Sequence, residues 1–288
     1  MGFCVKMIFS GILSLQNSEG VFMDKILLFI PMYNCEKQIV RVLDQLTPHV
    51  CELLNEVIIV NNRSTDNGEK AVGEYLDTHE KGVKISLLRN QENYGLGGSH
   101  KVAFKYAKEN GFDYVIVLHG DDQGDISNIV PYLENGEYRN YDCFLGARFM
   151  KGSRLEGYSG FRTFGNIVYN LLFSVVCGKW ITDLGSGLNL YRVSILESDF
   201  YLKYKDNLMF NYCMIMGSTF YRHRIRFFPI IWREDDQVSN VKMVNQAVVV
   251  LKLLGSFLLH RKKFVVSEHR DRVVESYDAA VVYENQVK

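Results

Sequence analysis

From Ile26 onward, short and almost uninterrupted apolar runs alternate with longer segments whose apolar residues recur at helical spacing. "ILLFIP" (26–31), "EVIIVNN" (56–62), "KISLLRN" (84–90) and "DYVIVLHG" (113–120) read as strands. Between them, "NCEKQIVRVLDQLTPHV" sets Ile39, Leu43 and Leu46 on one helical face with Asn34 as a candidate cap. "STDNGEKAVGEYLDTHEKG" supplies a second helix and "GSHKVAFKYAKENG" a third, with Val102, Ala103, Tyr106 and Ala107 in period. Strands without polar alternation are buried on both faces, which predicts an α/β fold with a mostly parallel sheet covered by helices. After Asp125 the pattern predicts a helix near 126–135, a strand "DCFLGAR" (142–148), a helix near 160–178 and a strand "LNLYR" (188–192). A helix around 205–216, a strand "RIRFFPI" (224–230), a helix over 241–260 and a strand "KFVVSE" follow, with the last dozen residues frayed. The apolar stretches at 168–178 and 247–260 are too short to span a membrane and read as core helices.

Residues 1–22 read as an extension outside the fold, because Met23 leads directly into the first strand. Residues 23–125 then form a nucleotide-binding half, 126–265 a substrate half of the same domain, and 266–288 a tail. With 47% hydrophobic and 23% charged residues, disordered and fibrous classes are excluded. Lys+Arg 33 balance Asp+Glu 33, so no global field draws a polyanion, and nucleic acid is not an expected partner. Six scattered cysteines without a Cys-x-x-Cys read as reduced, buried thiols of a cytoplasmic protein.

Polar residues gather where the strands end: Tyr33 and Asn34, Asn61 and Asn62, Asn90 and Asn93, Asp121 and Asp122. Ligands of open α/β sheets bind outside those carboxyl ends. In "VIVLHGDDQGD", His119, Asp121, Asp122, Gln123 and Asp125 bring oxygen ligands and an imidazole to one strand end, either as a site for a phosphate-bridging cation or as turn chemistry. "NYGLGGSH" runs Gly95, Gly97 and Gly98 into a helix start, which fits an anion-binding loop or a tight turn. Among Arg148, Arg154, Arg162, Arg192, Arg233 and Lys242, the best phosphate ligands are Arg148 and Arg233, each beside a strand end.

In order, "FIPMYN", "IVNNRSTD", "NYGLGGSHKVAF", "LHGDDQGD", "GAR", "TDLGSGLNLYR" and "FFPIIWRE" resemble the family 2 glycosyltransferases, and within them the dolichyl-phosphate mannosyltransferase type and related bacterial surface-polysaccharide transferases. The resemblance implies a GT-A fold, a nucleotide-diphosphate sugar donor (UDP- or GDP-linked), Mn2+ or Mg2+, and inversion at the anomeric carbon. Residues 23–125 become the nucleotide-sugar half and 126–265 the acceptor side. Pro31, Met32 and Tyr33 match the loop lining the base, and Asn61 and Asn62 stand where the family usually has paired aspartates. Asp66 matches the acid opening the next helix, where it equally fits a cap. Asn93, Gly95 and Gly98 match the loop approaching the ribose and diphosphate. Asp121 matches the second acid of the Asp-x-Asp metal motif, Gln123 the following Gln, and His119 the first acid. Arg148 matches the arginine of a Gly-Ser-Arg segment; Asp183, Ser186 and Gly187 mark the acceptor side; Arg233 matches the arginine that holds the diphosphate.

The Glu-Asp pair that supplies a general base in many members is absent from "KYKDNLMFNYCMIMGS". An alcohol needs such a base, whereas a phosphate is already anionic. The resemblance leaves a polyprenyl phosphate or a lipid-linked glycan as the acceptor, and the missing pair favours the phosphorylated lipid, or else a base recruited from Asp183, Glu234, Asp235 or Asp236. The last helix sets Val244, Val248, Leu251 and Leu258 on one side and runs into "HRKKF", which suits either core burial or peripheral contact with the cytoplasmic face of a membrane. Self-association is compatible with the sequence. A catalytically inactive nucleotide-sugar-binding protein and a nucleotidyltransferase are the rival readings.

Overall fold

The computed structural model describes residues 24–234 and 243–285, with the backbone alone for 243–247. The extension at 1–22, Lys242, and Asp235 and Asp236 lie outside the described residues. Strands β1 (Ile26–Met32), β2 (Glu56–Asn61), β3 (Lys84–Asn90) and β4 (Tyr114–Leu118) form at the four apolar runs. Helices α1 (Glu36–Asp44), α2 (Pro48–Glu52), α3 (Gly68–Thr78) and α4 (Gly95–Glu109) connect them. The first expected helix breaks in two at Thr47, whose Oγ1 accepts from the Val50 N–H at 3.3 Å. Pro48 follows at the first helical position, where a missing N–H costs little.

The second half contains α5 (Val130–Glu134), β5 (Cys143–Ala147), β6 (Arg154–Glu156), α6 (Gly160–Cys177), β7 (Leu188–Arg192), α7 (Phe210–Phe220) and β8 (Ile225–Pro229). It ends with β9 (Ile231–Arg233), α8 (Met243–Leu259), α9 (Arg261–Val266) and β10 (Ala279–Glu284). The main sheet is 8-stranded in the order β10-β3-β2-β1-β4-β7-β5-β8. It is parallel except for β7, which runs against β4 and β5, and β10, which runs against β3. Alternate residues of β1 feed two cores: Leu27 and Phe29 meet α4 and α7, while Leu28 and Ile30 meet α1 and α3. The sheet is thus covered on both faces, and its parallel strands point their carboxyl ends to one edge. The mostly parallel, doubly covered sheet predicted from the pattern is present, in the GT-A-like layout that the resemblance implies.

Three local expectations are corrected. "KFVVSE" is helical in α9, because Phe264 and Val265 bury one helical face and the Phe264 carbonyl accepts from the His269 ring at 2.7 Å. The supposedly frayed end contains β10, an edge strand whose ladder with β3 outweighs its exposed side chains. The stretch at 168–178 is not a core helix: α6 turns Val168, Leu171 and Val175 to solvent. A small sheet of β6 and β9, too short to leave a periodic signal, also forms. The five described cysteines, Cys35, Cys51, Cys143, Cys177 and Cys213, are buried and unpaired.

Candidate active site

Beyond Leu118 the backbone stays tied to its neighbours, His119 N–H donating to Gly187 O at 2.9 Å and Gly120 N–H to Pro31 O at 3.1 Å. This holds Asp121 at the strand end between β1 and β7. Its Oδ1 accepts from the Gln123 N–H at 3.3 Å, a long bond for a shielded carboxylate. Burial, opposed by that hydrogen bond, pushes its pKa up to about 6. Asp122 faces elsewhere. At φ +60°, in the left-handed region, it accepts from Arg41 Nε at 2.6 Å and Gln45 Nε2 at 2.9 Å, and Arg233 stands 3.7 Å away. Asp122 therefore closes the loop, and Arg233 N–H donates to Gln123 O at 3.0 Å to stitch the loop to β9.

His119 has a different setting from the one its place in the motif suggests. It continues the Val115 and Val117 face, its ring lies 6.2 Å from that of His100, and a Cβ at Gly187 would approach its Cγ to 2.9 Å. Its Nε2 is buried without a partner. Burial, with the Arg148 charge adding to it, pushes its pKa down to about 4, so the imidazole is neutral at pH 7. Among the described residues, no three His, Cys, Asp or Glu side chains converge as cation ligands. The structure thus does not gather His119 with Asp121 into a protein-only cage.

Arg148, just beyond β5, forms a bidentate fork with Asp183: Nε to Oδ2 and Nη2 to Oδ1, both 2.8 Å, with the Arg148 N–H also on Oδ2 at 2.8 Å. Asp183 further accepts from the Gly185 N–H at 3.0 Å. The Arg148 guanidinium lies 5.0 Å from the Trp232 ring centroid. Glu234 is likewise held, by Arg162 Nη1 at 2.6 Å. Ser186 is buried and donates to Leu188 O at 3.2 Å, which shapes the turn before β7.

On the nucleotide side, Pro31 and Met32 are buried in β1 while Tyr33 projects from its end, half exposed. Asp66 accepts from the Glu36 N–H at 2.8 Å and the Gly68 N–H at 3.1 Å, fixing the start of α3 to that of α1. Asn61 donates from Nδ2 to Glu69 Oε1 at 2.5 Å and accepts from the Ser64 N–H at 2.8 Å. Asn62 donates to Asn93 Oδ1 at 2.8 Å and accepts from Asn90 Nδ2 at 3.0 Å and the Tyr94 N–H at 2.8 Å. Both amides therefore brace the β2 and β3 ends.

The profile of Glycosyl transferase family 2 matches residues 28–200, more than half the chain and all of the strand ends from β1 to β7. The chain belongs to that family. It is 26% identical over 187 residues to the UDP-N-acetylglucosamine–dolichyl-phosphate N-acetylglucosaminyltransferase of Methanococcus voltae, covering 60% of this chain and 72% of that one. It is 24% identical over 175 residues to the undecaprenyl-phosphate mannosyltransferase of Micrococcus luteus, covering 60% and 69%. It shares its fold with glucosyl-3-phosphoglycerate synthase of Mycobacterium tuberculosis at a TM-score of 0.56 and 16% identity, over 83% of this chain and 80% of that one.

For this glycosyltransferase, the glycine loop needs correction. The N–H groups of Gly97 and Gly98 donate to the protein's own Asp206 carbonyl, at 2.7 and 3.3 Å, rather than standing open to a diphosphate. Gly95 has φ +74°, and a Cβ there would lie 2.5 Å from the same carbonyl oxygen, so the glycines admit the 205–206 segment. The sequence reading also missed Glu69 and Arg89. Glu69 supplies the acceptor that the Asn61 amide needs, and the Arg89 guanidinium holds the Glu69 carboxyl below its ordinary range. A carboxylate at 61 would face Glu69 directly, which gives a physical reason for Asn where the family usually has Asp. A second omission is Lys101, wholly buried, which donates to Tyr204 O at 2.6 Å, Asp206 Oδ1 at 2.7 Å and Tyr277 Oη at 3.2 Å. Its only sequence signal is a lysine on the apolar side of α4.

Proposed function

We propose that this glycosyltransferase moves a sugar from a UDP- or GDP-linked donor to the phosphate of a polyprenyl lipid, with inversion. The observation carrying the acceptor is the engagement of the described acids that could serve as a base: Asp183 lies in the Arg148 fork and Glu234 in the Arg162 pair. A lipid phosphate needs no base. Its anionic oxygen forms the new bond to the anomeric carbon while the bond to the nucleoside diphosphate breaks, and no proton moves. The two relatives whose names specify polyprenyl-phosphate acceptors support the same reading.

Mn2+ or Mg2+ fits Asp121, a shielded carboxylate with one long hydrogen bond, and the Gln123 side-chain oxygen, because magnesium is commonly bound by one or two carboxylates plus substrate phosphates. Bound there, the cation would neutralise charge on the leaving diphosphate. On this reading Tyr33, half exposed beyond β1, meets the base, and Arg233, tethered beside the Asp121 loop, meets the diphosphate. Arg148 positions the acceptor loop through Asp183. The test is incubation with UDP- and GDP-sugars, manganese and undecaprenyl or dolichyl phosphate, following lipid-linked product by mass spectrometry. Product with one donor is expected. Donor hydrolysis without lipid product refutes the acceptor, and donor binding without any turnover favours the inactive binding protein.

A further inference from the structure

We propose that the outer face of α6, with α8 beside it, docks on the surface of an anionic lipid bilayer. The inference deepens the lipid-acceptor reading and rests on it for the use of such a surface. Helix α6 buries Phe173, Val176 and Cys177 in the core, yet it is apolar on its outer face as well. Phe161, Phe164, Val168, Leu171 and Val175 recur along one helical stripe and are all exposed, Phe161 at 72% and Val175 at 73%. Two polar residues join the buried side: Asn170 donates to Thr182 O at 2.6 Å, and Ser174 Oγ accepts from the Ile181 N–H at 2.9 Å. A helix that satisfies its polar groups inside and leaves a continuous apolar stripe outside presents a surface for a partner. Helix α8 packs against α6 and adds exposed Val248, Leu251 and Leu258.

Charge identifies the partner. The segments of α6, α8 and α9 contain no Asp or Glu, yet they carry Arg162, Lys252, Arg261, Lys262 and Lys263 in a chain of formal net charge +0. Arg162 is paired with Glu234, while Lys252, Lys262 and Lys263 are exposed. Arg261 donates from Nη2 to Val176 O at 2.5 Å, which fastens the basic cluster to the carboxyl end of α6. Trp180, 72% exposed, follows that end, as aromatic residues do at membrane interfaces. The complementary surface must offer hydrocarbon beside negative charge, as an anionic bilayer does. A second copy of this chain would set the basic clusters against each other. No helix among the described residues is long and apolar enough to cross a membrane, so the contact is lateral. The other end of α6 adjoins the site: Arg162 holds Glu234, next to Arg233, which stands by Asp122. Docking along α6 therefore brings the Arg233 side of the site toward the headgroups.

The test is co-sedimentation of the full chain with phosphatidylcholine vesicles, with and without phosphatidylglycerol, at low and high salt. The variants are the exposed pair Phe164→Ser/Leu171→Ser and the charge reversal Lys262→Glu/Lys263→Glu, each with a thermal melt to confirm folding. Wild type should pellet with anionic vesicles only, less at high salt, and each variant should bind about tenfold more weakly while folded. A wild type that stays in the supernatant with every vesicle overturns the proposal. So does equal binding by the folded variants, or sedimentation analysis showing a dimer that Leu171→Ser dissociates. Sugar transfer to polyprenyl phosphate in detergent is measured on the same proteins. Transfer without vesicle binding removes the docking surface alone, and vesicle binding without transfer removes the acceptor assignment alone.

Discussion

Replacing Asp121 with Asn should separate stability from turnover. The Gln123 N–H donates to this carboxylate at 3.3 Å, and burial, only partly opposed by backbone N–H groups, pushes its pKa from the ordinary 3.8 up to about 6. Between those values the folded chain keeps a proton that the unfolded chain releases. Stability therefore falls as pH rises through that window and stays lower above it. At about 1.4 kcal/mol for each tenfold change in proton affinity, the cost would approach roughly 3 kcal/mol for an enclosed group. Water reaching the partly exposed side chain lowers it to about 1–2 kcal/mol. Asn has the same shape and accepts the same N–H. In chelator at about pH 7.5, Asp121→Asn should melt about 2–4 °C higher than wild type, and the gain should vanish below about pH 4. Added manganese should raise the melting temperature of wild type alone, because a ligand that binds the folded state stabilises it by mass action. Divalent-dependent release of sugar from the donor should disappear in the variant. A lower melting temperature at neutral pH would refute the burial argument, and undiminished turnover would remove Asp121 from the metal site.

Three further substitutions probe the frame around it. Asn61→Asp sets a carboxylate against Glu69, where the amide now donates at 2.5 Å; thermal melts should show a loss of about 2 kcal/mol at neutral pH and less in acid. Asp183→Asn removes the charge paired with Arg148 in a largely enclosed site, and the urea midpoint should fall by the equivalent of about 3–5 kcal/mol; an unchanged midpoint would contradict the role given to this pair. Gly97→Ala brings a Cβ within 2.5 Å of Lys205 O and 2.7 Å of Phe210 Cβ, so the melting temperature should drop by the equivalent of about 1–3 kcal/mol, with donor affinity in the folded fraction unchanged.

The apolar runs determined β1 to β4 and the edge where the site lies, because a strand buried on both faces leaves a continuous hydrophobic signature that needs no partner to be read. The order of the polar clusters also carried the family, and β3 and β7 stand at the residues the pattern marks. The roles of individual polar side chains were decided elsewhere. Asp121 and Asp122 are adjacent in sequence, yet one is partly buried with little support while the other meets Arg41, Gln45 and, at longer range, Arg233 from distant elements. Gly97 and Gly98 have the composition of an anion loop, but their N–H groups are capped by Asp206, more than a hundred residues away. The strand β10 and the outward stripe of α6 likewise depend on what the rest of the chain leaves uncovered. Periodicity reports how many faces of an element are apolar. Which face turns inward, and which donor meets which acceptor, follows from contacts between segments far apart in the chain, and only the tertiary structure sets those.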